Sequence, residues 1–544
     1  MSARIPVAPS VVGEEPSREA KRWTIVGMIL ASGIVFLDGT VVNVALPAID
    51  RSLAAGLSGL QWVIDGYALS IAALLLLGGS LGDRYGRRRV MIVGLIGFGV
   101  ASALCGVALS IGWLIAARIV QGVAGALLVP ASLAVITAVF TNAEERGQAI
   151  GAWTGWSGIV TVAGPFLGGW LVDALSWRWV FFINLPLIVV AVVLLLRHVP
   201  ETRDVEAAKR LDWAGAALAV LGLAGTTFAL IEGPARGWRM PIVLVALTGG
   251  LLAIGVFLAV EARLAHPMVP LRFFRVRNFA GANLATLGVY FALSGAIFLV
   301  IIYVQNVLGY SALVAGLCLL PLSLMMLVLA SRFGKLAGRY GPRFFMAAGP
   351  LIIGAGLLLF MRLDPASGSV SGYWSVLFPA IVVLGLGLCL TVAPLTTTVM
   401  NAVPAHNAGI ASAINNVASR IAGLLAIAGL GIVIAVTFSA ALTERTNALA
   451  LVPDVAARVA EARHDPSARP AADLPPEAAS AITSAYTTAF RRAMLWCALI
   501  AIGGGVVSAL VIRNPTRDAG ATPTLTARRA PAPSAERGRG SFRR

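Results

Sequence analysis

Two charged side chains stand where charge is expensive. Asp38 lies in FLDGTVVNVALP, well inside an apolar run that begins at Trp23, and Arg118 lies inside another, in LIAARIVQGVAGA. A charge at bilayer depth costs on the order of 2.5–3.5 kcal/mol on insertion scales, so each should face an interior and have a partner. A carboxylate beside a guanidinium can take up and return a proton, or exchange its counter-ion for a cationic ligand. That chemistry couples two cargoes. Gln121, one turn after Arg118, shares its face and can orient it. The competing role for Asp38 is structural, a hydrogen bond to Thr40 or Asn43 or a part in helix packing. Arg420 is a second arginine within an apolar run and needs acceptors, with Asn415, Asn416 and helix carbonyls at hand. Asp65 reads as a membrane-edge residue, and Asp173, Arg178 and Glu232 as solvated residues at outer helix ends.

The sequence lacks the constellations of an enzyme. It has no phosphate-cradling Gly-x-x-x-x-Gly-Lys-Ser/Thr loop, no metal-ligand cluster and no Ser/His/Asp set with a domain to hold it. The four cysteines, Cys105, Cys318, Cys389 and Cys497, fall in apolar runs without metal-like spacing, which predicts buried thiols. No cofactor is expected; a gradient must supply the energy.

The elements that position these residues are membrane helices. Hydrophobic residues make up 58% of the 544-residue sequence and charged residues 12%, with a mean hydropathy of +0.86. This is far from globular usage. Runs long enough to span a bilayer fall at 23–46, 61–82, 90–109, 112–140, 147–171, 179–197, 212–231, 240–261, 279–303, 314–332, 344–362, 374–399, 409–438 and 493–513, fourteen in all. Lys and Arg concentrate in alternate loops, around Arg84, Arg203, Arg272 and Arg339, and in both tails, which puts both termini in the cytoplasm. The net charge of +17 and pI of about 10.8 reflect this topology signal and contact with anionic lipid rather than nucleic acid. The first apolar run follows 22 polar residues and is too long and too late for a cleaved signal peptide, so span 1 is expected to be retained. With span 1 running outward and span 4 inward, Asp38 lies about 12 Å and Arg118 about 9 Å from the outer surface, at a shared depth.

An internal repeat follows. LGDRYGRRRVM, starting at Leu81, and LAGRYGPRFFM, starting at Leu336, share Arg-Tyr-Gly and their bounding residues, and they lie eight spans apart. Parallel duplication of six-span halves leaves two extra spans between them, 7 and 8. The domains are then an N-tail (1–22), a first half (23–197), a linker with the extra pair (198–262), a second half (263–513) and a disordered basic tail (514–544). Residues 439–490 read as a long, solvated outer loop.

These motifs resemble the fourteen-span drug:proton antiporters of the major facilitator superfamily, the EmrB/QacA-type efflux branch, over roughly 23–513. In GGSLGDRYGRRR, Gly79, Asp83, Arg84, Gly86, Arg87 and Arg88 match the loop signature between spans 2 and 3. LDGTVVNVALP, LIAARIVQGVAGA and AGPFLGG match the signatures of spans 1, 4 and 5, the last through Gly164, Pro165, Gly168 and Gly169; Val160 stands where the fuller pattern has glycine. The resemblance implies an all-α major facilitator fold in which spans 1 and 4 line a central cavity. It also implies that Asp83 caps span 13 near Gly409 as a latch between halves. In the second copy Gly338 replaces Asp83, so that latch is weaker or missing there. The glycine pairs allow close helix approach and Pro165 a kink.

The expected function is proton-coupled export, by alternating access, of amphipathic drugs or toxic compounds, cationic or neutral, with Asp38 and Arg118 coupling the proton. Trp153, Trp156, Tyr290, Phe291, Tyr303, Gln305 and Asn306 are candidates for the pocket wall. Partners are small substrates, protons and the bilayer of a bacterial inner membrane, with a monomeric protein. Export of one dedicated metabolite, self-made antibiotic or lipid precursor is the alternative within transport. A non-transporting sensor or scaffold is the alternative outside it.

Overall fold

A computed structural model describes residues 17–203, 212–264, 267–404, 407–447, 449, 452–463, 466 and 473–514. Every regular element among them is helical. Fourteen helices are long and apolar enough to span a membrane: α1 (Arg18–Leu53), α2 (Gly56–Tyr85), α3 (Arg87–Gly106), α4 (Ile111–Val139), α5 (Glu144–Ala174), α6 (Trp179–His198), α7 (Trp213–Arg236), α8 (Pro241–Glu261), α9 (Arg277–Asn306), α10 (Ala312–Tyr340), α11 (Pro342–Phe360), α12 (Val370–Asn401), α13 (Ala408–Asn447) and α14 (Pro476–Val511).

The spans agree with the sequence reading, but several ends move. Helix α1 starts at Arg18, within the expected tail, with the Ser17 hydroxyl accepting from the Ala20 N–H. The supposed solvated loop 439–490 is largely helical. Helix α13 continues to Asn447, a short helix covers Pro453–Ala462, and α14 begins at Pro476. The Ala- and Thr-rich stretch at the start of α14 has low hydropathy, yet Ala478, Ile482, Ala485, Tyr486 and Phe490 are buried in the main core. Small side chains carry little hydrophobicity and pack helices closely, so hydropathy misses them. The tail 515–544 lies outside the described residues.

Helix α1 packs on α5 and α6, and α2 on α4; in the second half α9 packs on α13 and α14, and α11 on α12. The extra helices α7 and α8 pack on each other through glycines: a Cβ at Gly225 would lie 2.6 Å from the Ala246 carbonyl oxygen. Helix α7 docks on α2 and α13. There Glu232 is 9% exposed rather than solvated, and accepts from Trp62 Nε1 (2.9 Å) and Ser58 Oγ (3.1 Å).

The cores reveal the conformation. At the end away from the basic α2–α3 and α10–α11 loops, one continuous apolar cluster takes in residues of both halves, from Leu37–Ile49 of α1 to Val289–Val304 of α9 and Ile427–Leu442 of α13. Toward the basic end the core divides into a first-half cluster around Phe98, Leu128 and Leu195, a second-half cluster around Phe279, Leu395 and Ile414, and a small one around Phe345. The halves share one core at one end, while toward the basic end their cores divide, with Val417 of α13 alone among the second-half residues packed against the first-half cluster.

Candidate functional site

Asp38 has no exposed surface, and the structure surrounds it with donors. Arg118 Nη1 donates to Oδ2 at 2.5 Å, while Gln121 Nε2 (2.9 Å) and Asn184 Nδ2 (3.0 Å) both donate to Oδ1. Four helices build the cluster. Helix α1 supplies the acid, α4 supplies Arg118 and Gln121 one turn apart, α6 supplies Asn184, and α3 supplies Ser102, which accepts from Asn184 at 3.0 Å and donates to the Phe181 carbonyl at 2.8 Å. Close packing brings α2 and α4 together: a Cβ at Gly122 would lie 2.5 Å from the Tyr67 carbonyl oxygen.

Arg118 does not depend on Asp38 alone. Its Nε donates to the Val63 carbonyl (3.1 Å), Nη1 also donates to Gln121 Oε1 (2.7 Å), and its guanidinium lies 4.1 Å from the Tyr67 ring centroid. The buried charges are therefore paired and hydrogen-bonded, the condition under which they are tolerated. Asn43 and Thr40 do not reach Asp38; their side chains donate back to carbonyls of their own helix, Asn43 to Gly39 and Thr40 to Phe36 and Leu37. That removes a hydrogen bond to either residue as the reason for Asp38. Asn184 was missed. The signal was present, an amide inside an apolar span, but attention to formal charge passes over it.

Arg420 makes no hydrogen bond or ion pair with another described residue and is partly accessible. Asp65 is fully buried, not at an edge, with neither carboxylate oxygen partnered among the described residues.

The α2–α3 signature is bound within its own half. Asp83 pairs with Arg87 at 2.7 Å and makes no bond to a described residue of α13. Arg87 Nη1 also donates to the Ala134 carbonyl, and Gly79 packs on Pro130. Arg84 lies beside the Tyr85 ring. Gly86 has φ +105°, and Glu201 accepts the N–H groups of Arg88 (3.0 Å) and Arg89 (3.2 Å) at the start of α3.

The α5 glycines serve two neighbours. Gly164 and Gly168 face α1, at Thr40 and Val41. Gly169 faces the start of α10, where a Cβ would lie 2.5 Å from the Ala312 carbonyl oxygen, and the Pro165 carbonyl abuts Gly316. Asp173 is not simply solvated: its carboxylate accepts the N–H groups of Ala312 (3.2 Å) and Leu313 (2.8 Å), bridging the halves at the sealed end. Gln305 Nε2 adds a bond to the Val44 carbonyl (2.9 Å), and Gln61 Nε2 one to the Ile427 carbonyl.

Several wall candidates belong to the core instead. Trp153 is buried with Nε1 donating to Ser32 Oγ (2.8 Å), and Tyr303 is buried with its hydroxyl 3.2 Å from Thr487 Oγ1 and its ring stacked on Phe490. Both polar tips find partners, so these amphipathic rings pack inside a half. Gln305 seals the halves. Trp156 is 54% exposed, Tyr290 and Phe291 are partly buried, and Asn306 ends α9.

Fourteen apolar helices in two halves, with a buried charge pair held among α1, α3, α4 and α6 of the first half, are the architecture of a membrane transporter. The chain matches the Major Facilitator Superfamily over residues 28–427 and belongs to that family. It is 38% identical over 424 residues to the multidrug resistance protein Stp of Mycobacterium tuberculosis, covering 77% of each chain. It is 32% identical to the tetracenomycin C resistance and export protein of Streptomyces glaucescens, over 94% of this chain and 95% of that one, and 38% identical to a puromycin resistance protein of Streptomyces alboniger, over 76% and 82%. Among solved structures it is similar to a bacterial homologue of the human lysosomal transporter Spinster, described as inward-facing and unoccupied, with a TM-score of 0.64, 18% identity and coverage of 91% and 97%. That likeness concerns the fold.

Proposed function

We propose that the chain exports amphipathic small molecules across the cytoplasmic membrane in exchange for protons, as a monomer with both termini inside. Asp38 carries the proton. The basic end is then cytoplasmic, and the arrangement described is open to the inside. The relatives named for drug resistance and export support the direction of transport.

The observation that carries the reading is the donor set around Asp38. When Asp38 is ionised, three donors hold it. When it takes a proton, Arg118 keeps the Val63 carbonyl, Gln121 Oε1 and the Tyr67 ring, so it is not left bare. Asn184 Oδ1 has no partner among the described residues and is buried, so turning the amide over presents an acceptor to a carboxyl that gains an O–H. Both protonation states can therefore be satisfied, as a proton carrier requires. One charge crossing 100 mV is worth about 2.3 kcal/mol, before any pH gradient is added.

The test is dissipation of a pH gradient in energised inverted vesicles on addition of dyes, antibiotics and lipophilic cations, for the intact protein and Asp38→Asn. Dissipation by several compounds that is lost in Asp38→Asn is expected. No dissipation by any of them would overturn polyspecific exchange, and dissipation that survives the substitution would remove Asp38 from the mechanism.

A further inference from the structure

The charge balance within the spans leads beyond that reading. Asp38 and Arg118 neutralise each other at 2.5 Å. Arg420 is different. It lies within the α13 span, keeps accessible surface, and forms no hydrogen bond or ion pair with any described residue. A charge within a span faces the bundle interior or a water-filled cavity rather than lipid, and one packed in a core would have no accessible surface. The combination describes a guanidinium facing an internal space.

Tyr290 repeats the pattern on the neighbouring helix. It too lies within a span and is partly accessible, and its hydroxyl has no hydrogen-bond partner among the described residues. The two residues share a depth. Gly423 of α13 abuts Ser294 of α9, with a built Cβ 2.9 Å from the Ser294 hydroxyl. Arg420 lies about one turn before Gly423 and Tyr290 about one turn before Ser294, and one turn further back Asn415 donates to Thr286 Oγ1 at 2.6 Å. Asn416, one turn before Arg420 on the same face, is exposed, with its amide N–H₂ donating to the Ser412 carbonyl. The second half thus presents a fixed cation and a phenolic donor.

An uncompensated guanidinium in a low-dielectric space is costly unless an acceptor reaches it. We propose that Arg420, assisted by the Tyr290 hydroxyl, binds the anionic end of the exported molecule, a carboxylate, phenolate or enolate on an apolar ring system. The proposal rests on the export reading and names its substrate class. It reverses the expectation of a cationic cargo, because the acid that would attract a cation is already held by Arg118 and two amides.

Fluorescein, which carries a carboxylate and a phenolate, and rhodamine 6G, a cation on the same xanthene frame, test it. Binding of each to the purified full chain is read by fluorescence anisotropy for the intact protein, Arg420→Gln, Arg420→Lys and Tyr290→Phe. Fluorescein should bind more tightly than rhodamine 6G. Its Kd should rise about tenfold or more in Arg420→Gln, the loss of one charge-assisted hydrogen bond, return most of the way in Arg420→Lys, and rise less in Tyr290→Phe. Rhodamine 6G should be unaffected or bind more tightly in Arg420→Gln. Absence of fluorescein binding, or fluorescein affinity equal in the intact protein and Arg420→Gln, overturns the proposal whatever rhodamine 6G does. If rhodamine 6G still dissipates the pH gradient in vesicles through Asp38, the export reading stands while the anionic substrate falls.

Discussion

Asn184 and Asp38 are joined at 3.0 Å across α6 and α1, through the same carboxylate oxygen that Gln121 holds. The asparagine's carbonyl oxygen is left buried without a partner. If its role is to serve both protonation states of Asp38, an apolar residue of similar size should damage exchange without unfolding the protein. A hydrogen bond to a charged group is worth about 1.5–3 kcal/mol. Asn184→Leu is therefore expected to slow substrate-driven dissipation of the pH gradient about tenfold or more, with the protein still monodisperse in detergent. A rate within twofold of the intact protein would assign Asn184 to packing alone.

The fourteen helices and the meeting of Asp38 with Arg118 were legible because both follow from cost. Long apolar runs have nowhere else to go, and two buried charges at one depth need each other. What was not legible concerned groups whose cost is small or depends on conformation. The start of α14, built of Ala and Thr, carries too little hydropathy to mark a buried helix. Asn184 carries no formal charge. Asp173 and Asp83 both sit near helix ends, and only the three-dimensional arrangement shows Asp173 bonded across the halves while Asp83 stays with Arg87. A sequence describes all the conformations a transporter visits; a structure describes one.

Asp173 holds the sealed end by accepting two N–H groups at the start of α10. Such a carboxylate acts as a helix cap supplied from another helix, and losing a cap costs about 0.5–2 kcal/mol. Asp173→Ala should shift the protein toward opening at this end by roughly 2- to 30-fold, by the same energy expressed as an equilibrium. A cysteine introduced at Ala48, partly buried on α1 at the sealed end, reports it through its rate of reaction with a maleimide. The four native cysteines are all buried. Equal labelling rates with and without Asp173 would show that the bond contributes nothing to the seal.

Close approach of α5 to α10 makes a separate prediction. A methyl group at Gly169 would sit 2.5 Å from the Ala312 carbonyl oxygen, a separation that forces the helices apart, whereas one at Gly158 would meet nothing within 4 Å. Overpacking of this kind costs about 1–3 kcal/mol. Gly169→Ala should therefore impair transport about tenfold while Gly158→Ala leaves it unchanged, measured as dye efflux from whole cells at matched expression. Similar losses in both would point to general sensitivity of α5 rather than to the seal.

The two halves carry one structural device in duplicate, and it can be broken in either. Gly86 (φ +105°) precedes α3, and Gly341 (φ +91°) precedes α11. In the first half Glu201, just after α6, accepts the Arg88 N–H; in the second, Asn514, just after α14, accepts the Arg343 N–H at 3.0 Å. The last helix of each half thereby caps the third. A side chain at either glycine would be strained by its φ and would also meet the capping residue, with a Cβ at Gly86 lying 2.7 Å from Glu201 Oε1. Strain of this kind costs about 1–3 kcal/mol. Gly86→Ala and Gly341→Ala should each lower the thermal unfolding midpoint in detergent, while Gly338→Ala, where nothing lies within 4 Å, should not. Glu201→Gln keeps an acceptor but removes its charge beside the N-terminus of α3 and beside Arg88 and Arg89, so it should fall between the intact protein and Gly86→Ala. Unchanged midpoints for both glycine variants would mean that the repeated Arg-Tyr-Gly turn is preserved for conformational exchange and not for the stability of either half.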